Sequence, residues 1–180
     1  MTKRAVLIIV ASLFLLLTCK KKTTQQSSLN AQNQIVPRVV RLYFESPSLL
    51  LTAEQRNVQL PQNPAGAMPV VVRELTKGAT NPALARSLPA DTVVRGAYLL
   101  PDGSAFVDLG GVTLTQGWQA GSHEELMAVY SIVQTVTANF PEAKKVRILV
   151  NGTPPETLAG HIALDRSLTP MTELVDPRTR

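Results

Sequence analysis

Cysteine, histidine and aromatic rings are scarce in this chain of 180 residues: one cysteine, two histidines, and 4% aromatic residues. A single cysteine cannot close an internal disulfide, so no disulfide framework holds the fold. The two imidazoles, His123 and His161, are far apart and fit neither HExxH nor H-x-H spacing, which leaves the sequence without a metal-binding motif. There is no G-x-S-x-G elbow and no S-x-x-K, and GVTLTQG and DLGG lack the spacing of a phosphate loop. Nucleophilic catalysis is without its usual parts, and the expectation is a protein that is not an enzyme and uses no cofactor.

Positive charge is present in excess but in the wrong place for nucleic acid. The net charge is +5 and the pI about 9.7. Five of the 18 basic residues, Lys3, Arg4 and Lys20 to Lys22, precede Ile35, and the other 13 face 13 acidic residues beyond it. The part that can fold is therefore neutral. Only Lys144-Lys145 with Arg147 cluster locally, too few to neutralise a run of phosphates. Nucleic acid is excluded as a partner.

What is present begins with a targeting signal. Met1 to Arg4 is cationic and Ala5 to Leu17, AVLIIVASLFLLL, is apolar apart from Ser12, the pattern of a signal-peptide n-region and h-region. About 20 apolar residues are needed to cross a bilayer, more than this run supplies. Leu16-Leu17-Thr18-Cys19 resembles a bacterial lipobox, with Thr18 where Gly, Ala or Ser is usual. Residues 1–18 then form the signal peptide and Cys19 becomes the acylated first residue. An uncleaved anchor and a plain thiol are the alternatives. Residues 19–34 read as the lipid-attachment site and a flexible polar tether, KKKTTQQSSLNAQNQ, spanning about 20 Å as a random coil. The chain is thus expected to be exported and anchored to a membrane, facing the periplasm or the cell exterior.

Residues 35–168 read as one α/β domain and residues 169–180 as a loosely ordered tail. VPRVVRLYFES alternates from Val39 to Phe44 between Pro37 and Pro47 and predicts a short strand. MPVVVRELTKG predicts a helix from about Pro69 to Lys77, stopped by Gly78. Thr92 to Leu100 and Ser104 to Leu109 flank Pro101-Asp102-Gly103, which predicts a hairpin with Ala105, Val107 and Leu109 on one face and Phe106 and Asp108 on the other. Ser122 with Glu125 fits a capping box, and the apolar positions from Leu126 to Phe140 predict a helix over about His123 to Asn139. KKVRILVNG predicts a strand closed by an Asn151-Gly152 turn. The order β-α-β-β-α-β gives a small sheet with two helices packed on one face.

Three acids invite a catalytic reading, and each has a structural one. Asp108, in AFVDL, can accept hydrogen bonds at a strand end or face away from the helices. Glu124 and Glu125 suit a helix N-terminus, where the dipole favours negative charge. No pair of acids has a spacing that argues for the carboxylates of a glycosidase, about 5 to 10 Å apart.

RLYF, ELTKG, LPADTVVRGAYLLPDGSAFVDLGG, SHEELMAVYSIVQTVTANFPEAKKVRILVNG and ETLAGHIAL together resemble a bacterial GerM-type domain, of sporulation and germination proteins, in a single copy. The resemblance implies an extracytoplasmic α/β domain related to ring-building modules, without a catalytic mechanism, that acts in interaction and assembly. It implies an envelope protein as partner and leaves self-association open. The alternative is a module binding cell-wall glycan or muropeptide, for which Trp118, in TQGWQAGS, is the candidate residue.

Overall fold

IVPRVVRLYFE forms the first strand, β1 (Ile35–Glu45), in the computed structural model, which describes residues 34–179. Cys19, the export segment and the tether up to residue 33 lie outside the described residues. β1 pairs antiparallel with β2 (Leu51–Pro61) in unbroken register, from Ile35 opposite Pro61 to Glu45 opposite Leu51. The strand is longer than expected because Pro37 does not interrupt it. The N–H groups of Arg41 and Tyr43 point away from β2, to Asn139 Oδ1 and Thr135 Oγ1. Pro37 has the same parity, so its missing N–H costs no ladder bond.

Strand β2 has no counterpart among the expected elements. Its core-facing positions include Thr52, Glu54 and Arg56 before Val58 and Leu60, so the apolar alternation that marks a strand is hidden over its first half. Helix α1 (Pro64–Thr76) starts five residues before the expected Pro69, because Asn63 caps it: its Oδ1 accepts from Gly66 N at 2.6 Å and Pro64 opens the first turn. Pro69 lies inside the helix, where its missing hydrogen bond frees only the carbonyl of exposed Ala65. Gly78, at φ +88°, follows its end as expected.

The hairpin of β3 (Val93–Leu99) and β4 (Ser104–Gly110) forms as expected around Gly103, at φ +82°. Asp102 fixes the turn by accepting from both the N–H and the hydroxyl of Ser104. A short helix, α2 (Val112–Gln116), precedes α3 (Ser122–Asn139), and β5 (Lys145–Val150) follows. β5 lies parallel to β4, giving a three-stranded sheet in the order β3-β4-β5 beside the two-stranded ribbon. The chain thus has the expected α/β class, with its strands divided between two sheets. The inner face of the larger sheet is Val94, Ala97, Ala105, Val107, Leu109, Val146 and Ile148, all buried; α1 packs on β3 and α3 on β5.

Helix α3 is buried on nearly every side from Met127 to Val136, because β1 and α1 contact it as well as β5. That explains why Ser131, Gln134 and Thr135, polar by sequence, are buried. The tail from Thr169, expected to be loose, is tied down. Val175 bridges to Leu51 in parallel, Asp176 N donates to Leu51 O, and both residues are buried. Val175 supplies an apolar anchor to a segment that otherwise reads as polar.

Candidate functional site

The acids singled out in the sequence are held by main chain. Asp108 lies on the sheet face turned away from the helices. Its Oδ1 accepts from Gly152 N at 2.8 Å, closing the Asn151-Gly152 turn onto β4, and its Oδ2 is 3.5 Å from Arg95 Nε. Glu124 Oε2 accepts from Gly121 N at 3.0 Å. The helix cap is therefore Gly121 with Glu124, and Ser122 with Glu125 is not the capping pair. Glu125 instead points into the core and is fully buried. Its Oε1 accepts from Leu158 N and Ala159 N at 2.7 and 2.8 Å, and its Oε2 from His161 N and Ile162 N at 2.7 and 3.2 Å.

Four amides around one carboxyl group satisfy it by hydrogen bonding, where a cation would be the usual partner. Among the described residues Glu125 has no ion pair. The arrangement fastens the 156–164 segment over the start of α3, with His161 Nε2 3.1 Å from Ala120 O. The inward position of Glu125 was legible as one turn before Val129 on the apolar stripe; its amide partners, over thirty residues away, were not.

A second glutamate does a related job beneath the ribbon. Glu54 Oε2 accepts from Thr80 N and Asn81 N, while its Oε1 pairs with Arg56, whose guanidinium also reaches Glu74 and the carbonyls of Glu74 and Gly78. Burial pushes the Glu54 carboxyl up, but hydrogen bonds from Asn81, Arg56 and Thr80 together outweigh it and hold the group below its usual value.

His123 Nε2 lies 2.7 Å from Glu45 Oε1, and no group of three potential metal ligands forms among the described residues. Trp118, in the segment joining α2 to α3, is half-buried and packs against the core. The aromatic surface lies elsewhere. On the outer face of the larger sheet Tyr98, Phe106 and Arg147 form one cross-strand row, beside Leu149. Tyr98 is 56% exposed, and its ring lies over Gly96, where any Cβ would collide with the tyrosine hydroxyl. The bulge at Arg95 shifts the parity of β3 and turns Tyr98 outward, which simple alternation could not reveal.

Residues 41–156 match the family Germane, described as sporulation and spore germination. The chain belongs to this family. The Germane domain has the fold of solved relatives at low identity. The tandem GerMN domains of the sporulation protein GerM from Bacillus subtilis superpose with a TM-score of 0.56 at 20% identity, over 74% of this chain and 46% of that one. The chain thus spans about half of the tandem protein. The first GerMN domain of the same protein gives 0.51 at 19% identity, over 78% and 98%. A protein of Clostridium perfringens assigned as a lipoprotein gives 0.53 at 18%, over 75% and 87%. No curated protein matches in sequence. The loop held by Glu125 lies just beyond the part of the Germane domain that matches.

Proposed function

We propose that this Germane domain is a membrane-tethered, extracytoplasmic interaction module of the bacterial cell envelope that contacts another envelope protein without turnover. One observation carries this reading: the acids best placed by sequence for chemistry are engaged by the fold's own main chain, Asp108 by Gly152 and Glu125 by the amides of residues 158–162. Family membership and the resemblance of Leu16-Leu17-Thr18-Cys19 to a lipobox support the envelope setting, as does the Clostridium perfringens relative assigned as a lipoprotein. A photo-crosslinker at Tyr98 of the full chain in native envelopes is expected to capture a protein. Because the folded part is neutral, capture should change little with salt. Cys19→Ala should abolish fatty-acid labelling, and labelling that persists without the thiol overturns the tether. Peptidoglycan hydrolysis that disappears in Asp108→Asn overturns the non-catalytic reading.

Exposed Tyr98, opposite half-buried Phe106, favours a second reading, binding of a cell-wall glycan by stacking. Sedimentation with purified peptidoglycan, lost in Tyr98→Ala, selects it. Loss in Trp118→Ala alone assigns the contact to the loop before α3 instead.

A further inference from the structure

The edges of the ribbon are treated unequally. β1 is covered along its outer side from Arg41 to Glu45: Asn139 bonds both the N–H and the carbonyl of Arg41, Thr135 takes the N–H of Tyr43, and Ala85 N donates to Glu45 O. In an antiparallel pair, residues opposite each other direct their main-chain groups the same way, both inward or both outward. Gln55 stands opposite Arg41, Asn57 opposite Val39 and Gln59 opposite Pro37, so these three direct N–H and C=O away from β1. Among the described residues nothing accepts or donates there. The tail covers this edge only at Leu51, through Val175 and Asp176, and leaves it near Ala53, where Arg178 and Thr179 line a shallow cleft.

Edge strands are commonly protected by lysine, proline, a bulge or a covering segment. From Leu51 to Leu60, β2 has no proline, no lysine and no break in register, and its outward side chains at Gln55, Asn57 and Gln59 are exposed neutral amides. We infer that this edge pairs antiparallel with the same edge of a second copy, about a two-fold axis at Asn57. That register sets Asn57 opposite Asn57 and Gln55 opposite Gln59, so amides meet amides and no like charges meet. The charged neighbours Glu54 and Arg56 lie on the other face and are paired within their own chain. Growth beyond the pair is disfavoured. The four strands would run β1-β2-β2-β1, and each outer β1 edge is closed from Arg41 to Glu45 by α3 and Ala85 and is blunted in its exposed half by Pro37, which has no N–H to donate; this favours a dimer over a fibre.

The inference deepens the interaction reading by naming one partner, and it needs neither the tether nor the Tyr98 face. One short edge buries less than the roughly 1,000 Å² of a stable interface, so the dimer should depend on concentration. The test is oxidative crosslinking of the full chain in a Cys19→Ser background, in detergent solution. Asn57→Cys should yield a disulfide-linked homodimer, since facing residues of a hydrogen-bonded antiparallel pair are about 5.5 Å apart at Cα, within disulfide range. Gln55→Cys and Val39→Cys should remain monomeric alone, while Gln55→Cys mixed with Gln59→Cys should crosslink. Asn57→Pro, which removes an N–H that the monomer does not use, should abolish crosslinking between Gln55→Cys and Gln59→Cys. No homodimer at Asn57→Cys, or equal yield at Val39→Cys, overturns the inference. Capture of a different envelope protein through Tyr98 alongside no homodimer leaves the interaction reading standing and removes only this one.

Discussion

Glu125 and Glu54 each gather the amides of a distant loop, but in opposite surroundings. Glu125 is fully shut off from solvent and relies on four N–H donors, whereas Glu54 uses two and adds Arg56 as a counter-charge. A carboxylate can be kept in a protein interior by dipoles alone when enough of them converge; with fewer, a cation completes the set. The first arrangement depends on the backbone path of one loop. The second depends on side chains from β2 and α1 and is open to the solvent conditions that act on ion pairs.

The largest effect should come from Glu125→Ala, which leaves amides of residues 158–162 without acceptors and a hole beside α3. A loss of about 4 kcal/mol or more is expected in denaturant unfolding, with hydrogen exchange accelerated first at those amides. Glu125→Gln should lose about 2 kcal/mol, because its amide offers one acceptor oxygen and turns donors toward donors. If both variants unfold like the wild type, the clamp is not structural.

Arg56→Met is expected to cost about 2 kcal/mol by leaving Glu54 largely buried without its cation, while Glu74 keeps Lys77. A smaller loss than for Glu125→Ala would sustain the contrast between the two sites. The reverse order would show that the ribbon depends more on its ion pairs than the core does on its clamp.

Acid tests the ribbon site. The Glu54 carboxyl is held below its ordinary value in the folded chain, so its contribution is complete above about pH 4.5 and is lost as pH falls through the folded value. Stability of the wild type should decline in that range, and Glu54→Gln should flatten the decline. An unchanged acid slope in Glu54→Gln assigns the loss to other carboxylates. Smallest of all, Glu124→Ala should cost about 0.5 to 1 kcal/mol through the bond to Gly121, while Ser122→Ala should cost almost nothing.

Much of the larger sheet was legible because local chemistry decides it. Pro101-Asp102-Gly103 makes one kind of turn, Asn151-Gly152 another, and Val146 and Ile148 alternate cleanly into the core. β2 was not legible, since its inward half is Glu54 and Arg56, residues whose burial makes sense only once Glu74 and the 80–81 amides are beside them. The short helix α2 and the docking of Val175 depend likewise on contacts remote in sequence. The acids were recognised as structural, but the partners of Glu125 were out of reach because its amide ligands lie beyond the next strand. Tyr98 was hidden by a single bulged residue.

The closure of β1 by Asn139 and Thr135 also bears on the order in which the chain folds. The two bonds join residues 98 and 92 positions apart, so the hairpin of β1 and β2 can form early by local pairing yet keeps an unfinished side until α3 arrives. Contacts of such separation slow folding, and the interval is one in which both sides of the ribbon are bare. A newly emerging chain would pass through a stage more adhesive than its finished form, and Asn139, near the last turn of α3, ends it.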